Sequence, residues 1–387
     1  MNKTVIAIIA AVVIIVGGFL FFRAQRQATP VAEQATTEPT ATEEAAAPAT
    51  TEPATTATTE TAAVPPAGGE LHIYNWGDYT SPELIKKFEA AFKVKVSLDE
   101  YDSNETMLAK VRGGGTGYDI VVPSDYAVTI MVEEGLLAQT EPNAMENYGH
   151  LAARWRDVYW DSGRHYSVPW QWGTTSFSVN TAKFKGDIGS LNILYEPPQE
   201  LCGRINMLTD MNEVINMGLR YLNLPRCNNN PDDLTKLNQL LTKAKTCWRS
   251  FSFDSLEKLI SGDVDVSQNW NGYSFRAREQ NPAVVYAYPK EGVTGWADNV
   301  AVLKDAPNLE NAKLFQNFIL APENAALISN YAHYANGIDG SDTFMDQTLL
   351  DAPEVVPPAG SPEPEFVPPC GQEVNDKYNQ IWTNLLK

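Results

Sequence analysis

Leu71-His72-Ile73-Tyr74-Asn75-Trp76-Gly77-Asp78-Tyr79 begins as a short buried strand and breaks into a polar, aromatic turn. Ser81 comes next as a helix cap with Pro82 in the first turn, where a missing N–H is harmless. Leu84, Ile85, Phe88 and Phe92 then recur at helical spacing. Val94–Tyr101 alternates as a strand, and Ser103–Val111 reads as a helix. Tyr118-Asp119-Ile120-Val121-Val122-Pro123-Ser124 reads as a fully buried strand running into a turn. Strand, helix, strand, helix, strand within about fifty residues implies a parallel sheet and an α/β fold. Ligands bind such sheets beyond the carboxyl ends of the strands. Those ends are Trp76–Tyr79 and Ser124–Tyr126.

Upstream of this unit the composition changes twice. Residues 4–22 carry no charge and are long enough, at about 1.5 Å per residue, to approach the ~30 Å hydrocarbon layer of a bilayer. With Lys3 before and Arg23 and Arg26 after, charge does not orient the segment. The run is long for a signal peptide and no small-x-small cleavage site comes after Phe22, so residues 1–27 read as a retained membrane anchor in preference to a cleaved signal segment. Either reading exports the remainder of the chain. Residues 28–69 are almost wholly Thr, Ala, Pro and Glu, a composition that cannot bury enough apolar surface to offset ordering. They read as a tether with a coil reach of about 35–40 Å.

The chain of 387 residues carries 48 Asp and Glu against 29 Lys and Arg, a formal net charge of −19. That balance excludes a nucleic-acid partner, whose phosphates need a basic face. It suits a cationic ligand, although excess acid also simply keeps an exported protein soluble. The stretch from Glu70 onward is large for one core, so two lobes are expected. Cys202, Cys227, Cys247 and Cys370 all lie in the exported part and suit two disulfides. Three pairings are open. Cys227 with Cys247 is preferred, because a short helix over Pro231–Lys243 would bring them together.

Signals of catalysis are thin. His72, His150, His165 and His333 stand apart, without metal-ligand spacing. Gly113-Gly114-Gly115-Thr116-Gly117 lacks the Lys-Ser/Thr of a phosphate loop and precedes a strand, so it reads as a turn. No Gly-x-Ser-x-Gly elbow is present. No cofactor, no metal and no enzymatic activity are expected. Aromatic and acidic residues instead gather at the strand ends. Trp76 and Tyr79 flank Asp78, and Asp210 and Glu213 share a helical face after the strand-like Ile205–Leu208. Trp270 comes after Val264–Gln268, and Trp296 precedes Asp298 by two. A polyamine needs this chemistry: carboxylates for its ammonium groups, and aromatic faces for its methylenes and for cation–π attraction of about 0.5–2 kcal/mol.

Six ordered motifs carry a resemblance. Tyr74-Asn75-Trp76-Gly77-Asp78-Tyr79, Asp102-Ser103-Asn104-Glu105-Thr106-Met107, Tyr118–Ser124, Trp270-Asn271-Gly272, Pro289-Lys290-Glu291-Gly292 and Trp296-Ala297-Asp298 resemble the spermidine/putrescine-binding proteins of bacterial ABC importers. The likeness runs from Glu70 onward and is strong through Tyr334. It implies a two-lobed periplasmic-binding-protein (type II) fold, each lobe a mixed sheet flanked by helices, with the ligand in the inter-lobe cleft. Lobe 1 would span 70–172 plus 298–341, and lobe 2 would span 173–297 plus 342–387. The lobes would be joined by crossing strands and close like a hinged trap.

The resemblance implies a monomer that binds a polyamine outside the cytoplasmic membrane and delivers it to an ABC permease. Carried over position by position, it implies that Trp76, Asp78, Tyr79, Ser124 and Tyr126 form the wall of one lobe. Asp210 and Glu213 would grip an amine from the other. Trp270 and Trp296 would be the two aromatic walls, with Asp298 beside the chain and Tyr334 on the returning segment. The Asp-x-x-Glu pair, with Tyr273 where putrescine-specific relatives place an Asp, leans to spermidine. A family glutamine falls opposite Val367-Pro368-Pro369, and Tyr331–Asn336 is closer to the putrescine type. The alternatives are a polyamine-sensing receptor component, a binding protein for another small solute, and a polyamine-processing enzyme.

Overall fold

The computed structural model describes residues 68–387. The expected anchor, and the tether apart from Gly68 and Gly69, lie outside the described residues. Strand β1 (Gly69–Trp76) pairs in parallel with β2 (Val94–Tyr101) along its whole length, and with the short β3 (Ile120–Val121). The helix Pro82–Phe92 between β1 and β2 starts where expected: the Ser81 hydroxyl accepts the Leu84 N–H at 3.3 Å. Ser103 caps the next helix, Asn104–Val111, in the same way. The stretch Tyr118–Ser124 forms a shorter ladder than its apolar run suggests. Pro123 has no N–H to donate, and beyond it only an isolated bridge joins Ser124 to Asp298.

Two long strands then run through the molecule. Strand β4 (Ser167–Asn180) is antiparallel to β9 (Thr294–Val302) along its first half. Its second half pairs with β7 (Val266–Trp270) and β8 (Val284–Ala287). Strand β9 is antiparallel to β3 as well, and β7 is parallel to β5 (Ile205–Met207), which pairs in parallel with β6 (Trp248–Phe251). The strand order is β2-β1-β3-β9-β4-β7-β5-β6, with β10 (Glu365–Phe366) on β9. β4 and β9 are therefore the members common to both halves of the sheet.

Two main apolar cores lie along these shared strands. One is built from β1, β3, β9 and the first half of β4, with Leu84, Phe88, Met107 and Phe315 from the flanking helices. The other gathers Phe177, Ile205, Val214, Leu241, Trp248 and Tyr378 around β5 and the second half of β4. Phe88 is wholly buried and meets Phe315 edge-on at 5.1 Å. Burying a side chain of this size stabilises by about 1.5–3 kcal/mol, which is why Leu84 and Phe88 govern how the first helix sits.

The disulfides correct the preferred pairing. Cys202 bonds Cys247, and Cys227 bonds Cys370. The helix expected over Pro231–Lys243 does form, over Pro231–Lys245. At about 1.5 Å per residue it is a rigid rod of roughly 22 Å, so it separates Cys227 from Cys247. Cys247 lies just past its far end and Cys202 just before β5, so β5–β6 pairing brings those two together. Cys227 instead ties the loop before the helix to the C-terminal segment, 143 residues away. Non-reducing peptide mapping should recover these two linked pairs. Replacing Cys227 and Cys370 together by Ser should lower unfolding free energy in urea by about 2–5 kcal/mol.

Candidate functional site

A cleft open to solvent, with an empty volume of about 1280 Å³, lies where β1, β3, β7 and β9 end or cross. All eleven residues singled out in the sequence line it: Trp76, Asp78, Tyr79, Ser124, Tyr126, Asp210, Glu213, Trp270, Trp296, Asp298 and Tyr334. They arrive from separate elements. Trp76 is the last residue of β1, Ser124 caps the helix Asp125–Glu133, Asp210 caps the helix Met211–Tyr221, Trp270 ends β7, and Trp296 and Asp298 belong to β9.

The aromatic walls are held by contacts a sequence does not display. The Trp76 indole N–H donates to the Val122 carbonyl at 2.9 Å, and its ring packs on Tyr101 at 4.7 Å. Trp270 stacks on Phe253, with ring centroids 5.8 Å apart and planes within 8°. Trp296 meets Tyr334 edge-on at 5.0 Å. Two glycines make room for that last pair. A Cβ on Gly272 would sit 2.5 Å from the Tyr334 ring, and one on Gly173 would sit 2.5 Å from Trp296. The glycine of Trp270-Asn271-Gly272 is thus required by a ring from a distant segment, not by its own backbone.

Four carboxylates sit below the surface around this space. Asp298 is buried; it accepts the Ser124 hydroxyl at 2.7 Å and the Tyr79 hydroxyl at 3.0 Å. Burial raises its pKa to about 7, against the pull of those two hydrogen bonds. Asp125 is buried as well and is pushed up to about 7, chiefly by burial and further by the charge of Asp298. One of its oxygens accepts the Tyr126 N–H at 2.9 Å, and the other, Oδ2, has no partner. Asp210 and Glu213 keep some exposure to the cleft yet are enclosed enough that burial raises both, Glu213 the further because Asp210 lies beside it. Asp210 accepts the Glu213 N–H at 3.0 Å as a helix cap, and Glu213 Oε1 accepts the Thr175 hydroxyl at 2.7 Å. Glu213 Oε2 is left buried without a partner.

Three further cleft residues carry no clear signal in the sequence. Asp125 falls between Ser124 and Tyr126, but an acid in the first turn of a helix is ordinary and marks nothing locally. Arg276 pairs with Asp78 at 2.7 Å from the helix Asn271–Gln280, and the Tyr331 hydroxyl donates to the same carboxylate at 3.0 Å. Asp78 therefore lines the cleft with its charge already engaged. Arg226 lines it too, from the disulfide-bonded loop. Among the described residues, no group of three or more His, Cys, Asp or Glu is arranged to hold a metal ion.

Two α/β lobes sharing continuous strands around such a cleft define a periplasmic-binding-protein architecture of type II. The chain belongs to the bacterial extracellular solute-binding protein family, whose pattern it matches over residues 83–355. Proteins of this family are solute-binding components of ABC importers and not enzymes. It is 30% identical over 307 residues to the putrescine/agmatine-binding protein of Pseudomonas aeruginosa, covering 74% of this chain and 83% of that protein. It is 31% identical over 295 residues to the spermidine/putrescine-binding periplasmic protein of Escherichia coli, covering 74% and 84%. The solved structure of the spermidine/putrescine ABC transporter substrate-binding protein PotD of Streptococcus pneumoniae superposes with a TM-score of 0.72 at 26% identity, over 82% of this chain and 99% of that one.

The raised carboxylates make the empty protein sensitive to pH. A carboxyl that holds its proton more tightly folded than unfolded adds stability at low pH. That stability is lost as pH rises from the ordinary carboxylate value near 4 towards the folded value of about 7 given for Asp298 and Asp125. The melting temperature of the ligand-free protein should therefore fall between about pH 4 and about pH 7. Asp298→Asn should flatten that slope, and a slope unchanged in the variant would remove Asp298 as its source.

Proposed function

We propose that this chain binds a polyamine outside the cytoplasmic membrane and delivers it to an ABC permease. The observation that carries the reading is the surplus of enclosed carboxylates: Asp125, Asp210, Glu213 and Asp298 line one cleft with aromatic walls, and two of their oxygens are buried without a partner. Such anions are stable in low dielectric only when protonated or paired. A linear polyamine supplies several ammonium groups on one flexible chain, and its methylenes fit between Trp270 and Trp296. The names of the relatives, which speak of putrescine, agmatine and spermidine, support the same class of ligand.

The finer assignments belong to this proposal. Lobe 1 spans 70–172 plus 298–341 and lobe 2 spans 173–297 plus 342–387, with β4 and β9 as the hinge. Residues 4–22 anchor a monomer to the membrane, and 28–69 let it reach the permease. Asp298 and Ser124 grip one ammonium, and Asp210 with Glu213 grips the next.

Calorimetry on protein stripped of endogenous ligand by unfolding tests the reading. The tightest of putrescine, cadaverine, spermidine and spermine should bind with a dissociation constant of about 1 μM or lower, roughly 8 kcal/mol or more. Asp298→Asn removes one partner of an enclosed pair, at about 3–5 kcal/mol, and should weaken that amine by about a hundredfold to a few thousandfold. The exposed Glu134, paired with Arg112 at 2.8 Å, is the control, and Glu134→Gln should change little. Absence of heat with all four amines sinks the proposal.

A further inference from the structure

Arg226 is a cation built into a site that otherwise collects anions, and its position is fixed from two sides. Its neighbour Cys227 is bonded to Cys370, and its own Nη1 donates to the Pro368 carbonyl at 2.8 Å. Pro368 is next to Val367, which lines the cleft and whose carbonyl accepts the Tyr159 hydroxyl at 2.9 Å. The guanidinium is consequently held by covalent and hydrogen-bonded ties that do not depend on a ligand. Its Nε is buried with no partner. It forms no ion pair shorter than 4.0 Å among the described residues, so its charge is not spent on one acid.

Its charge is felt by Tyr159, Asp125, Glu213 and Glu365, and of these Asp125 and Glu213 each carry an oxygen without a partner. Arg226 pulls the carboxyls of Glu213 and Asp125 down against the larger effect of their burial, and burial in turn lowers Arg226 itself. Glu213 Oε2 and Asp125 Oδ2 thus face a partial internal counter-ion, while Asp298 has only the neutral hydroxyls of Ser124 and Tyr79. The anionic surplus is uneven.

We infer that Arg226 occupies the electrostatic place of one ligand ammonium and thereby selects a diamine over a triamine. This inference rests on the polyamine reading and sets its charge count. A two-charge ligand engages Asp298 and the Asp210–Glu213 pair in the same cleft that Arg226 lines, so the guanidinium already offsets part of the charge there. A third ammonium enters a cleft that already holds a partly desolvated like charge, where repulsion is poorly screened. Spermidine, to which the family resemblance at Asp210, Glu213 and Tyr273 leans, is therefore the weaker ligand here.

Titration calorimetry with putrescine and spermidine on the full exported chain and on Arg226→Gln tests this. Putrescine should bind the unaltered protein more tightly. In Arg226→Gln the spermidine affinity should rise at least tenfold, about 1.4 kcal/mol, and by at least about threefold more than that of putrescine. Arg226→Lys, which keeps the charge, should retain the original preference. An unchanged putrescine-to-spermidine ratio in Arg226→Gln overturns the inference and leaves polyamine binding intact; silence of both amines on the unaltered protein is failure of the parent reading instead. Should Arg226→Gln not fold, spermidine acetylated at its aminopropyl nitrogen serves on the unaltered protein. It keeps the length and loses the third charge, so it should bind more tightly than spermidine, and equal or weaker binding overturns the inference.

Discussion

Enclosing several carboxylates in one cleft without an equal number of internal cations is the constraint around which the rest is arranged. The neighbouring hydroxyls and N–H groups hold the oxygens in place without neutralising them: Ser124 and Tyr79 on Asp298, Tyr126 N–H on Asp125, Thr175 on Glu213. Hydrogen bonds of this kind favour the ionised form, yet burial outweighs them and the carboxyls remain raised. Around the cleft the enclosed acids Asp125, Asp210, Glu213 and Asp298 outnumber the cations Arg226 and Arg276. In the proposed function a diffusible cation offsets that surplus.

Two continuous strands tie the halves of the sheet together. β4 pairs with β9 on one side and with β7 and β8 on the other, so both cores hang on the same backbone ladder. Trp296 and Asp298 are placed on β9 itself, and Trp270 ends the strand beside β4. These site residues are thereby held by the paired strands at the centre of the sheet. The Asp78–Arg276 pair adds a contact between the β1 turn and the helix after β7. It is partly exposed, and exposed pairs are worth about 0–1 kcal/mol, so it orients the walls more than it stabilises them.

Local chemistry makes much of this legible. Caps mark the helix starts at Ser81 and Ser103, apolar patterns mark β1 and β2, and aromatic and acidic clusters mark the strand ends. Each of these signals acts over a few residues, which is the range at which spacing and capping operate. The β3 ladder is shorter than its apolar run implies, because such a run reports burial while Pro123 decides where pairing stops.

The α/β class and the anionic, aromatic residues at the strand ends are written in the order of residues along the chain, and the resemblance carried by the six motifs adds the remaining cleft positions, Tyr334 among them. The disulfide pairs, the need for glycine at 173 and 272, the engagement of Asp78 by Arg276 and the entry of Arg226 emerge only in the folded molecule. Each of these is a meeting of segments dozens to hundreds of residues apart. No short-range pattern encodes such a meeting, because it depends on which loop a rigid helix or a shared strand carries into reach.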